Sequence, residues 1–219
     1  MKPISRRTFV RLSAVAAGVA PAVAVAGGPS NAPATRSSPP AERQPTLDST
    51  AATTPIADHP RQKKTTLRIG HCQLEARCGE FETNLAKVVQ GLERADRERV
   101  EIVCFPECCL TGYPDTEAPA RKDAFAVDSP SMRQLLDRTR QFNATYIVGF
   151  NERRGPDLYN SAAVIHQGRV LGLYSKCSAY HQFHRQGREF PVFERNGVKF
   201  GVVICSDGGY IEPTRLLAL

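Results

Sequence analysis

Residues 201–210 read GVVICSDGGY, and the fold turns on how this stretch is read. Val202, Val203 and Ile204 form an apolar run of the kind a buried strand needs, and Gly208-Gly209 ends it with turn chemistry. Cys205 therefore stands where a buried strand runs out and a loop begins. For a lone cysteine the commoner fate is a core thiol, because free Cys is among the most buried residue types. The alternative is a nucleophile at the mouth of a site, and the rest of the chain has to decide between them.

Outward from this strand, the folded part alternates strand and helix. Leu67–Cys72 (LRIGHC) reads as a strand, and Thr83 or Asn84 is expected to cap a helix carrying Leu85, Val88, Val89 and Leu92. Glu101–Phe105 (EIVCF) is a short apolar strand ended by Pro106. Ser129-Pro130 makes a cap and first-turn pair ahead of Met132, Leu135 and Leu136. Further strands are expected at Thr145–Phe150, Ser161–Ile165, Val170–Tyr174 and Val198–Ile204, with a turn at Gln167-Gly168. This order favours an α/β layered sheet with at least one hairpin.

Composition divides the 219 residues unevenly. Ser5-Arg6-Arg7-Thr8-Phe9-Val10-Arg11 is a twin-arginine pattern. An Ala-rich apolar stretch follows from Leu12 to Val25, with small residues for cleavage at Ala24-Val25-Ala26. Residues 1–26 are thus expected to be an export signal, sending the folded protein to the periplasm or outside the cell. Interrupted by Gly18 and Pro21, the stretch is a poor permanent span, so no membrane span is expected after processing. Residues 27–64, rich in Pro, Ser, Thr and Ala, cannot bury enough surface to offset their ordering and are expected to be a disordered linker. Residues 65–219 remain for the fold.

The formal charge of +7 belongs to the leader and linker. Residues 1–64 carry nine Lys/Arg and three Asp/Glu, whereas residues 65–219 carry twenty and nineteen. The fold itself offers no basic excess for nucleic acid. Seven cysteines, at 72, 78, 104, 108, 109, 177 and 205, include no C-x-x-C pair, so neither a structural zinc site nor a disulfide framework is expected.

In layered α/β sheets functional groups gather at the carboxyl ends of strands. Three segments qualify: Phe105-Pro106-Glu107 supplies a carboxylate, Tyr174-Ser175-Lys176 an amine, and Ile204-Cys205-Ser206-Asp207 a thiol. Singly, each has a plain structural explanation. Together they are a base, a cation and a nucleophile, the set that acyl transfer from an amide requires.

These segments resemble the nitrilase, or carbon–nitrogen hydrolase, superfamily. The likeness is carried by IVCFPECCLTGYP (102–114), DLYNSAAVI (157–165), GRVLGLYSK (168–176) and GVKFGVVICSDGGYIEPTRLLAL (197–219). It implies an α-β-β-α sandwich, with Glu107 as general base, Lys176 as oxyanion stabiliser and Cys205 as nucleophile. The amide of Ser206 would be a second oxyanion donor. The implied reaction is hydrolysis of a linear amide or N-carbamoyl compound through a thioester, with neither metal nor organic cofactor; assembly into a homo-oligomer is left open. Two departures stand out. The stretch Tyr180-His181-Gln182 lacks the second carboxylate of many members, and Glu189 lies beyond the glycine; either His181 or His184 lines the site instead, or the positioning of the attacking water is compromised. The chain is also expected to lack the family's last strands, roughly a third of the fold by usual domain size. Two other readings compete: a non-catalytic remnant binding through an open sheet edge, and a thiol redox protein argued from Cys108-Cys109.

Overall fold

A computed structural model describes residues 10–14, as backbone only, and residues 66–218. The twin-arginine pair, most of the apolar leader stretch and the linker lie outside the described residues. Strands are β1 (Val10–Ala14), β2 (Ile69–His71), β3 (Ile102–Cys104), β4 (Thr145–Arg154), β5 (Asp157–His166), β6 (Arg169–Ser175), β7 (Val192–Arg195) and β8 (Val198–Ile204). Helices are α1 (Phe81–Arg97), α2 (Glu117–Asp123), α3 (Pro130–Thr139) and α4 (Ile211–Ala218).

The strands form two sheets. One has the order β2-β3-β4-β5-β6, parallel through β4 and antiparallel thereafter; the other has the order β1-β8-β7. β7 runs antiparallel to β8, and β1 parallel to it, from Val10 opposite Phe200 to Ala14 opposite Ile204. Period-two alternation sorts the large sheet's side chains into two cores. Val103, Phe105, Tyr146, Val148, Ala163 and Ile165 face Leu85, Val88 and Leu92 of α1 and Met132 and Leu135 of α3. Their neighbours Ile102, Cys104, Ile147, Ala162 and Val164 face Phe193, Phe200, Val202 and Ile204 of the second sheet. Leu217 of α4 is buried against the far side of β8, so close to Gly201 that an added Cβ would meet it at 2.8 Å. Helix, sheet, sheet and helix are therefore stacked in that order, and the expected α-β-β-α layering is present.

Local readings held where the chemistry is short-range. Ser129 caps α3 by accepting from the Met132 amide at 3.2 Å, and Gln167-Gly168 turns with φ of 47° and 71°. The α1 start was misplaced: the helix begins at Phe81, and Asn84 lies inside it. The Asn84 side chain is buried and tied instead to the Arg77 backbone (2.9 and 2.7 Å) and to the Leu110 carbonyl (3.1 Å), anchoring the loop ahead of the helix. Short β7 and α2, whose sequences carry little apolar periodicity, were not read from the chain.

Candidate active site

β3 and β6 of the large sheet and β8 of the second sheet are each followed by a residue whose side chain reaches one site. Pro106 closes β3, and the Glu107 side chain enters the interior with 2% of its surface exposed. Lys176 follows β6, 1% exposed, and its Nζ lies 2.7 Å from Glu107 Oε1. Its backbone is pinned on both sides: its amide donates to Asn160 O at 2.8 Å, and its carbonyl accepts from Gly187 at 2.9 Å. Gly187 is required there, since a Cβ would lie 2.0 Å from the Ser175 carbonyl oxygen.

Cys205 is the first residue of a short 3-10 turn, Cys205–Gly209. Its φ of 48° is left-handed, a conformation that costs a non-glycine residue about 1–2 kcal/mol. The turn lifts the residue out of the buried strand: Ile204 is 3% exposed, whereas Cys205 is an exposed residue. The Glu107 carboxylate and the Lys176 ammonium both lie close enough to its sulfur to act on it electrostatically. Partial burial and then the Glu107 carboxylate push the thiol above its ordinary value, while the Lys176 ammonium pulls the other way. At rest the proton stays on sulfur, with a carboxylate beside it ready to accept. All four residues read from the sequence, Glu107, Lys176, Cys205 and Ser206, are thus brought together.

Asp207 holds this turn. Fully buried, it accepts from Tyr174 Oη at 2.7 Å, from the Ser178 amide at 2.8 Å and from the Ile204 amide at 3.4 Å. One carboxylate thereby clamps the nucleophile's turn to the loop that follows Lys176. Sequence reasoning assigned it no role, although a carboxylate three residues beyond a buried strand is a group that needs partners. Asn160 was also missed; its Nδ2 donates to Glu107 Oε1 at 2.6 Å.

The histidines proposed as replacements for a second carboxylate take different places. His184 is buried, and its Nε2 donates to Asn151 Oδ1 at 2.9 Å, the only role left because Asn151 Nδ2 already donates to Thr111 and Gly112. Burial, His181 and Lys176 lower His184 to about 4, so it is neutral at pH 7. His181 sits among the rings of Tyr113, Tyr180 and Phe183. Both histidines line a cavity of about 1040 Å³ that also touches Arg154, Tyr159 and Arg188. Its lining includes neither Cys205, Glu107 nor Lys176, so its size says nothing about the reacting centre. Glu189 lines that cavity too, away from the triad.

All seven cysteines are free: Cys104, Cys108 and Cys109 are buried, Cys72 and Cys177 half-buried, Cys78 and Cys205 exposed. Burial pushes Cys109 up to about 12 and Cys108 well above its ordinary value, as in core thiols rather than a reactive thiol pair. Among the described residues no group of three His, Cys, Asp or Glu is placed to hold a metal ion, and no helix is long and apolar enough to cross a membrane.

Residues 68–219 match the family described as Carbon-nitrogen hydrolase. The chain belongs to this family. It is 31% identical over 161 residues to a glutamine-dependent NAD(+) synthetase of Thermotoga maritima, covering 70% of this chain and 28% of that protein. It is 26% identical over 162 residues to a nitrilase of Pyrococcus abyssi, covering 70% of this chain and 61% of the nitrilase. An amidase structure from Nesterenkonia sp. superposes with a TM-score of 0.60 at 22% identity, over 68% of this chain and 59% of the amidase. That last likeness concerns the fold alone. The chain spans between about a quarter and three fifths of the length of these curated relatives.

Proposed function

We propose that this protein hydrolyses a non-peptide carbon–nitrogen bond, with a linear primary amide as substrate and a Cys205 thioester as intermediate. The observation that carries the reading is the convergence of a buried Glu107–Lys176 pair, 2.7 Å apart, on an exposed cysteine with left-handed backbone. In the first step Glu107 takes the thiol proton as Sγ attacks the carbonyl carbon. The developing oxyanion faces the Lys176 ammonium and the Ser206 amide, fixed donors that need no reorganisation. Glu107, now a carboxylic acid, returns the proton to the leaving nitrogen, and ammonia departs. Water then gives a proton to Glu107 and attacks the thioester, releasing the carboxylic acid and restoring the thiol.

A neutral amide is preferred over a nitrile because the set supplies an acid for an amine leaving group. Similarity to glutamine-dependent NAD(+) synthetases supports the same choice and makes L-glutamine a first substrate to try beside short aliphatic amides and N-carbamoyl amino acids. Ammonia release from such a panel, compared between the unsubstituted protein and Cys205→Ala, tests the reading. Turnover that survives in Cys205→Ala sinks it.

A further inference from the structure

The Glu107 carboxylate is asymmetric in its surroundings. Oε1 accepts two short hydrogen bonds, from Lys176 Nζ at 2.7 Å and from Asn160 Nδ2 at 2.6 Å. Both donors are charged or amide nitrogens held by buried side chains, Lys176 at 1% and Asn160 at 3% exposure. Asn160 cannot drift, because β5 is paired along its whole length: Asn160 lies opposite Asn151 of β4, and its carbonyl accepts the Lys176 amide at 2.8 Å. Its Oδ1 faces the buried Cys108 sulfur at 3.6 Å, which orients the amide with Nδ2 toward Glu107.

We infer that Asn160 is the positioning residue of the general base: with Lys176 it saturates Oε1 and leaves Oε2 as the oxygen that takes the Cys205 proton. A carboxylate whose two oxygens are equivalent can rotate about its terminal torsion, which is broad and roughly two-fold. Two donors on one oxygen remove that freedom and aim the other oxygen at the sulfur. The proton moves from Sγ to Oε2, the electron pair stays on sulfur, and Oε1 keeps both donors throughout. The same geometry serves the return of the proton to the leaving nitrogen and the deprotonation of water. This inference rests on the hydrolase reading above and adds to it a residue outside the triad.

The test uses the full chain and two variants. Asn160→Leu removes the donor, and Asn160→Asp keeps the shape while replacing the donor with an acceptor. For each, the rate at which iodoacetamide alkylates Cys205 at pH 7 is read by peptide mapping, beside kcat and KM for ammonia release. Both variants are expected to lose about tenfold or more in alkylation rate and kcat, the scale of one hydrogen bond to a charged group, with KM changing less than about twofold. A merely structural role would lower thermal stability without slowing alkylation of the folded fraction. Alkylation and kcat within about twofold of the unsubstituted protein, in a folded variant, overturn the inference. A crystal structure of the unsubstituted protein gives a check that needs no variant: the carboxylate oxygen free of Lys176 and Asn160 lying against the sulfur supports the assignment, and the oxygen bonded to both lying there overturns it. Activity persisting in Cys205→Ala defeats the hydrolase reading instead, whatever the Asn160 variants do.

Discussion

Replacing Lys176 by Met should destabilise the protein severely, although the substitution keeps the length and most of the volume of the side chain. The Lys176 and Glu107 side chains are 1% and 2% exposed, and their charged atoms lie 2.7 Å apart. Without the ammonium, the Glu107 carboxylate keeps the Asn160 amide at 2.6 Å but loses its counter-charge while its side chain stays almost wholly buried. Breaking a buried pair from one side costs about 3–5 kcal/mol. That is a large share of a net stability of about 5–15 kcal/mol. Neutralising both partners, in Lys176→Met with Glu107→Gln, leaves no orphaned charge, and the glutamine carbonyl can still accept from Asn160. The double variant is therefore expected to be more stable than Lys176→Met alone by about 2 kcal/mol or more, a strongly non-additive cycle. The pair Arg94–Glu98 is a control of nearly the same separation, 2.8 Å, with side chains 75% and 54% exposed. Glu98→Gln should hardly move the midpoint, because solvent screens such a pair. Urea unfolding followed by circular dichroism at pH 7 measures all of these. If Lys176→Met unfolds within about 1 kcal/mol of the parent, or the two single changes add, the pair is not the buried, mutually dependent unit described here.

Other expectations follow from the same contacts. Gly149→Ala places a Cβ 2.5 Å from the Cys108 amide nitrogen and 2.8 Å from the Pro106 carbonyl oxygen, so it should cost about 1–3 kcal/mol and displace Glu107. Gly209→Ala, with nothing within 4 Å, should change neither thermal stability nor ammonia release. His184 is held at about 4 against an ordinary 6.5, a lowered value, so stability present above pH 6.5 is lost as pH falls toward 4. His184→Gln, which keeps a donor for Asn151, should flatten that part of the curve of unfolding midpoint against pH; an unchanged slope counts against His184 as the source. We also propose that residues 1–26, which include β1, direct export through the twin-arginine route, so that β1 pairs with β8 only in the unprocessed chain. Replacing Arg6 and Arg7 by lysine should leave the precursor in the cytoplasm, and undiminished export would refute it.

The strand ends were legible because burial and punctuation coincide there. Val198–Ile204 is apolar apart from Lys199 and runs on toward a Gly-Gly turn, so β8 and the place of Cys205 could be read directly. Phe105-Pro106-Glu107 was readable for the same reason: proline cannot continue the ladder, so the next residue starts a loop. The supporting residues were hidden. Asn160 and Asn151 look like ordinary polar residues of a strand, and nothing local says that Asn160 meets Glu107, 53 positions away, across the sheet. The left-handed φ at Cys205 was equally invisible, since that conformation usually announces itself through glycine. Asn84 misled in the other direction. Its residue type suggests a cap, but tertiary contacts with Arg77 and Leu110 outweighed that preference and drew it into the helix.

The central claim is that the Cys205 sulfur carries the acyl group during turnover. Mixing the protein with an amide that it hydrolyses, quenching in acid within the first turnovers and weighing the intact protein tests this most directly. The account predicts a mass increase equal to the acyl group, mapped to the peptide containing Cys205, discharged by hydroxylamine as the hydroxamate and absent in Cys205→Ala. An acyl group found on any other residue, or steady ammonia release by Cys205→Ala, would contradict it.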